Sequence, residues 1–185
     1  MGQYSYQMGY NGLKKSWIFP GQASQFVGMG KDLFDNTDIG KKYYNLANDI
    51  LEVDIQDISF NGPEEKLKIT KFTQPAIFIV SSVISHLLME KGHLPDCVAG
   101  HSLGEYSALT AAGGISFETG LELVKIRSNS MDKAGITNPG TMAAIIGLNM
   151  DSVVKLANSI KTNEVVVAAN HNTENQIVIS GNINA

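Results

Sequence analysis

Apolar residues recur along this chain with two different periods, and the change of period divides it. In the first two thirds the spacing is helical. Ile39, Tyr43, Leu46, Ala47 and Ile50 share one face of a helix expected over Asp38–Leu51. A short helix is expected over 63–68. Pro75 suits the first turn of a longer helix through Met89, where Ile77, Val80, Ile84, Leu87 and Leu88 recur at helical spacing and Gly92 ends it. Ser116 caps another helix, running to about Asp132. Between these lie two short apolar runs. Ser16–Phe19 is a strand stopped by Pro20-Gly21 and followed by a Gly- and Gln-rich loop through Gly30; 97–99 is a strand leading into a helix over 105–112.

Beyond Asp132 the period shortens. An apolar strand is expected over 141–147, a helix over 151–159, and two strands over 165–169 and 176–180. The Asn-rich stretch 170–175 reads as the hairpin loop between the last two. The order β-α-β-β is the first part of a β-α-β-β-α-β ferredoxin-like unit.

Composition narrows the classes. With 185 residues, 43% hydrophobic and 17% charged, the chain is long enough for one core, or a core plus a small satellite. The net charge is −4, with no block of like charges, which argues against nucleic acid as the main partner. The apolar segment 76–89 is interrupted by Ser81, Ser82, Ser85 and His86, so no membrane span is expected. The lone Cys97 permits no internal disulfide and offers no metal cluster; on an apolar strand it is expected to be a buried, inert thiol. Residues 1–15 are polar, lack the apolar stretch of a signal peptide, and read as a disordered lead-in. A cytoplasmic location follows by default.

Chemistry enters at Gly100-His101-Ser102-Leu103-Gly104, a G-x-S-x-G pattern. The pattern alone is common. Its context, a short apolar strand before and a helix after, is that of a nucleophile elbow. Two glycines allow a tight bend that lifts Ser102 above the strand end, and the following helix offers its positive end to charge developing during acyl transfer.

Three segments together resemble the malonyl-CoA:acyl carrier protein transacylases of fatty acid synthesis and the acyltransferase domains of polyketide synthases. The first is Phe19-Pro20-Gly21-Gln22-Ala23-Ser24-Gln25 with Gly28-Met29-Gly30. The second is Thr73-Gln74-Pro75-Ala76 followed by Gly100-His101-Ser102-Leu103-Gly104-Glu105-Tyr106. The third is Arg127 with Gly140-Thr141-Met142-Ala143-Ala144-Ile145-Ile146-Gly147. The match runs from about Trp17 to the end, and the free-standing transacylase fits better than a synthase domain. The resemblance implies an α/β fold: an α/β-hydrolase-like large subdomain with a short parallel sheet, over 16–135, and a ferredoxin-like small subdomain, begun over 136–185.

It also implies roles. Ser102 attacks the thioester of malonyl-CoA, holds the malonyl group as an ester, and yields it to the phosphopantetheine thiol of acyl carrier protein; no cofactor is needed. The oxyanion takes hydrogen bonds from the backbone N–H of Leu103, by the logic of the elbow, and of Gln22, by resemblance. Arg127 grips the malonyl carboxylate; the plain reading of the same residue is a solvated helix arginine. Gln74 lines the site or caps the helix starting at Pro75. His101 is a pocket wall or substrate contact. Asn170 and Asn172 turn toward the pocket from their loop or are simply hairpin asparagines.

The family's catalytic histidine comes from a segment after the small subdomain, and His86, His93 and His171 do not replace it convincingly. The expectation is therefore a transacylase domain of which this chain covers somewhat more than half. The alternatives are a polyketide synthase acyltransferase, or an incomplete module that only binds CoA or acyl carrier protein.

Overall fold

The computed structural model describes residues 14–160 and 164–185. The expected lead-in, apart from its last two residues, lies outside them. Two compact units are present, the larger ending at Asn129 and the smaller spanning Ser130–Ala185.

The larger unit runs β1 (Ser16–Phe19), α1 (Lys31–Asn36), α2 (Asp38–Leu51), α3 (Ile55–Asn61), α4 (Glu64–Leu67), α5 (Thr70–Glu90), β2 (Cys97–Gly100) and α6 (Gly104–Ala111), followed by α7 (Phe117–Thr137), whose last residues belong to the smaller unit. β1 and β2 pair in parallel, from Ser16 opposite Cys97 to Phe19 opposite Gly100. Parallel strands need a long crossover between them, and helices α1 to α5 supply it.

The core gathers on α5. Ala76, Ile77, Phe78, Ile79 and Val83 pack with Tyr44 and Ala47 of α2, Ile55 and Ile58 of α3, Leu67 of α4, and Leu121 and Val124 of α7. Tyr43 stacks on Phe117 at 4.0 Å between ring centroids, tying α2 to the start of α7. Helix starts are capped as their sequences suggest: Thr37 accepts from Gly40 N, Asp54 from Asp57 N, and Ser116 from Thr119 N.

Several expectations change. α5 begins at Thr70, so Pro75 lies inside the helix rather than at its start. Thr73 holds the entry by donating its hydroxyl to the Leu67 carbonyl, and only one ladder donor is lost at Pro75. At 21 residues α5 is long and apolar enough to cross a membrane by length and composition, yet its buried residues form the middle of this core. α1 and α3 were not anticipated, and α7 continues five residues past Asp132. Cys97 is exposed, not buried, because β1 covers only one side of β2; its Sγ lies 3.0 Å from Ser16 Oγ.

The smaller unit holds β3 (Gly140–Ile146), α8 (Met150–Ser159), β4 (Val166–Thr173) and β5 (Gln176–Asn182) in an antiparallel sheet of order β3-β5-β4. β4 runs through Thr173, so Asn170, His171 and Asn172 are strand residues and not loop residues; the turn is confined to Glu174 and Asn175. Irregular register at Ala168/Asn170 and His171/Thr173 lets this polar stretch continue the ladder.

Tyr44 is fully buried, and burial raises its hydroxyl above the ordinary value of 10.0. Folding therefore favours the neutral phenol. That stability is complete below pH 10.0 and is lost as pH climbs from the unfolded value toward the raised folded one. The unfolding free energy measured in urea should fall with rising alkalinity, by about 1.4 kcal/mol per pH unit from this group. Tyr44→Phe should flatten that alkaline slope; an unchanged slope would place the titrating group elsewhere.

Candidate active site

Ser102 sits where β2 becomes α6, with φ of 53°, in the left-handed region that non-glycine residues rarely occupy. Such a conformation costs on the order of 1–3 kcal/mol and persists only where the surroundings impose it. Here they do. His101 N donates to Phe19 O at 3.0 Å, extending the β1–β2 ladder one step past Gly100. Gly104 N then donates back to His101 O at 2.9 Å, and Glu105 N to Ser102 O at 3.2 Å, which starts α6 at once. A Cβ on Gly100 would fall on the Gly104 backbone, and one on Gly104 on the Phe19 carbonyl. Only glycine fits at either place.

Leu103 anchors the turn: its side chain is fully buried in the main core. Its N–H, at the mouth of α6, donates to no backbone carbonyl among the described residues, and neither does that of Gln22. The Leu103 N–H follows the serine directly at the start of α6, where an undirected donor can serve a developing oxyanion.

The Gln22 loop is fastened to the elbow at Gly21. A Cβ there would lie 2.8 Å from His101 O and 2.9 Å from His101 Nδ1, so His101 rests on this glycine. The loop is also held from within, by Ser24 Oγ donating to Gly21 O at 2.8 Å and Ala23 N to Gln25 Oε1 at 2.9 Å. From α5, buried Gln74 donates Nε2 to Gln22 Oε1 at 3.4 Å, and Gln22 Nε2 donates to Thr70 Oγ1 at 3.2 Å. Because α5 starts at Thr70, Gln74 is no helix cap; it steadies the Gln22 side chain.

Arg127, from α7, donates Nη2 to Ser102 Oγ at 2.8 Å, and its guanidinium lies 5.9 Å from the Tyr106 ring centroid. A solvated helix arginine makes neither contact. The guanidinium and the α6 N-terminus both bring positive charge to the same hydroxyl. The larger unit thus gathers Ser102, Leu103, His101, Gln22, Gln74 and Arg127. Asn170 and Asn172 belong to the smaller unit and to β4.

Two contributors were not anticipated from sequence. Tyr106 stands one helical turn after Ser102, a spacing that could have drawn attention to it. Thr70 carries no such signal. His86, in turn, is engaged away from the serine: its Nδ1 is 3.2 Å from Tyr43 Oη and its Nε2 3.3 Å from Glu90 Oε1. An apolar groove of about 590 Å³, lined by Trp17, Phe19, Met29, Ile77 and Leu88 among others, does not include Ser102.

Residues 16–185 match the family model for the acyl transferase domain. The chain is 44% identical over 164 residues to the malonyl CoA-acyl carrier protein transacylase of Synechocystis sp., covering 84% of this chain and 54% of that one. To the Bacillus subtilis protein of the same name it is 39% identical over 147 residues, covering 80% and 46%. Among solved structures it resembles a malonyl-transacylase in complex with a type II polyketide synthase acyl-carrier protein, with TM-score 0.85, 37% identity, and coverage of 93% and 56%. The crystal structure of the Synechocystis enzyme gives TM-score 0.82 at 44% identity, with coverage of 93% and 56%. The chain spans about half the length of the curated relatives it matches.

The elbow geometry makes a local prediction. Gly104→Ala should lower stability by about 1–3 kcal/mol, since the added methyl meets backbone and not a side chain that can move aside. Thermal unfolding measures it, and a melting temperature equal to the parent's would show that the elbow tolerates a Cβ.

Proposed function

This chain belongs to the acyl transferase domain family, and from that footing we propose that the protein moves a malonyl group from malonyl-CoA to the phosphopantetheine thiol of acyl carrier protein, through an ester on Ser102. The observation that carries this reading is Ser102 in a left-handed elbow with the Arg127 guanidinium 2.8 Å from its hydroxyl. An ordinary strand-to-helix turn has no use for such a conformation. An acyl group with its own carboxylate gives the arginine a purpose.

Ser102 Oγ attacks the thioester carbon and its proton passes to a base; the family resemblance suggests an imidazole from a segment following the smaller unit. The carbonyl oxygen becomes an oxyanion that accepts from the N–H groups of Leu103 and Gln22. The intermediate collapses with the CoA sulfur as leaving group, which takes up the proton. The phosphopantetheine thiol then attacks the ester carbon, Ser102 Oγ leaves, and the hydroxyl is restored. Two half-reactions share one serine, so ping-pong kinetics follow. Arg127 holds the malonyl carboxylate by two parallel hydrogen bonds, with the Tyr106 ring supporting its guanidinium. His101 walls the site above Gly21. Asn170 and Asn172 are kept as candidate substrate contacts. The reaction proceeds on side chains and backbone donors and calls for no cofactor besides the thioester.

Acyl carrier protein as partner is supported by the names of the relatives and by the solved complex of a malonyl-transacylase with its carrier. The finer fold reading is an α/β-hydrolase-like subdomain over 16–135 and a ferredoxin-like one begun over 136–185. It is supported by the parallel β1–β2 pair that leads into the elbow. The order β3-β5-β4, in which the third strand of the smaller unit lies between the first two, is that of a split β-α-β unit. A cytoplasmic site of action fits an enzyme of fatty acid synthesis.

Two outcomes are expected of the protein expressed at the full length of its gene. After incubation with labelled malonyl-CoA and acid quench, label stays on the protein and is lost in Ser102→Ala; label retained by that variant would remove Ser102 as the nucleophile. In Arg127→Ala, malonyl transfer should fall by about ten- to a hundred-fold, the equivalent of a charge-assisted contact worth about 1.5–3 kcal/mol, while acetyl transfer holds or rises. Equal losses for both substrates would make Arg127 structural.

A further inference from the structure

Lys125 lies two residues before Arg127 on α7, a turn of about 200° around the helix. Its Nζ donates to the Ile50 carbonyl at 2.7 Å and lies 3.8 Å from Glu52 Oε1. Ile50 is in the last turn of α2, where carbonyls have no partner within the helix, and Glu52 is the left-handed residue that closes it. A lysine there meets an unsatisfied acceptor and the negative end of the helix together.

The buried stripe of α7 is Phe117, Gly120, Leu121, Val124 and Ser128. Lys125 follows Val124 by one residue and Arg127 precedes Ser128 by one, so they flank the stripe on opposite sides, each displaced by about 100°. Apolar burial holds α7 down but is non-directional; the Phe117–Tyr43 stack fastens the start of the helix, and from Gly120 to Ser128 the stripe is of small and aliphatic residues that do little to fix rotation about the axis near Arg127. The directional contacts near the serine are the two polar ones, Lys125 to the end of α2 and Arg127 to Ser102. A roll of roughly 10° carries a group about 6 Å from the axis by about 1 Å, enough to spoil a bidentate grip.

We propose that Lys125 is a positioning residue for Arg127: by tethering α7 to the C-terminus of α2 it sets the roll of the helix, and with it the placement of the guanidinium that selects the carboxylated acyl group. This rests on Arg127 being the carboxylate ligand, as proposed above. Lys125 itself touches neither Ser102 nor any group given a role in the chemistry.

The test uses the protein at the full length of its gene and reads the ratio of kcat/KM for malonyl-CoA to that for acetyl-CoA, which is independent of how much of each preparation is folded. Lys125→Met keeps the length and apolar stem of the side chain but removes the donor. It should lower the ratio by about tenfold, chiefly through a higher KM for malonyl-CoA. Lys125→Arg should restore most of it, since a guanidinium can also donate to the Ile50 carbonyl. In the Arg127→Ala background, Lys125→Met should change the ratio no further, because there is no guanidinium left to position. A ratio unchanged in Lys125→Met while Arg127→Ala collapses it would overturn the role of Lys125 and leave the Arg127 reading standing. A ratio unchanged in Arg127→Ala would overturn both. Equal effects of Lys125→Met in the two backgrounds would mark Lys125 as merely structural.

Discussion

The constraint on which the site depends is the space between the end of β1 and the start of α6. The chain must leave β2, turn, and enter a helix while Phe19 O still accepts from His101 N, and the Gly104 backbone comes so close that no Cβ fits at Gly100 or Gly104. Ser102 has one way through that gap, with a positive φ, and its side chain is thereby set at the head of α6. The strain is local and modest. It is imposed by a ladder on one side and a helix on the other, both too well bonded to yield.

What surrounds the gap keeps it closed. Leu103, next to the serine, is buried in the same core that holds Phe78 and Ile79 of α5, so the elbow cannot lift without opening that core. The helix that supplies more of the core than any other also supplies Thr70 and Gln74, which fasten the Gln22 side chain. A single 21-residue helix therefore supports both the elbow and the loop facing it. Packing and catalytic geometry are not separable here, and core substitutions in α5 should be felt at Ser102.

Much of this was legible in the sequence where a local signal coincided with a long-range one. The elbow was readable because glycine spacing, a strand before and a helix after all agree. α2 was readable because fourteen residues carry a clean apolar face. The misses have physical causes. α1 and α3 are six and seven residues long, too short for a period to stand out, and α1 begins at a left-handed glycine with no side-chain cap. Pro75 predicts a helix start because a proline is at home there; Thr73, bonded backwards to Leu67, lets the helix begin earlier. Asn170 to Thr173 looked like a turn by composition, yet register irregularities keep them in the ladder. The apolar neighbours of Cys97 predict burial, whereas burial depends on what covers a strand, and the thiol is exposed. The Arg127–Ser102 contact spans 25 residues and is not written in any local pattern; the resemblance to a family points to Arg127 as a carboxylate ligand, and the contact with the serine comes from the fold alone.

On the reading proposed above, one left-handed serine, two backbone donors and one guanidinium together form a centre for transferring an acyl group that carries its own carboxylate. A crystal structure of the full-length protein after reaction with malonyl-CoA tests it most directly. Continuous density is expected from Ser102 Oγ into a malonyl group, with the ester carbonyl oxygen between the N–H groups of Gln22 and Leu103 and the carboxylate paired with Arg127. Malonyl density on another side chain, or a carboxylate turned away from Arg127 into solvent, would contradict it.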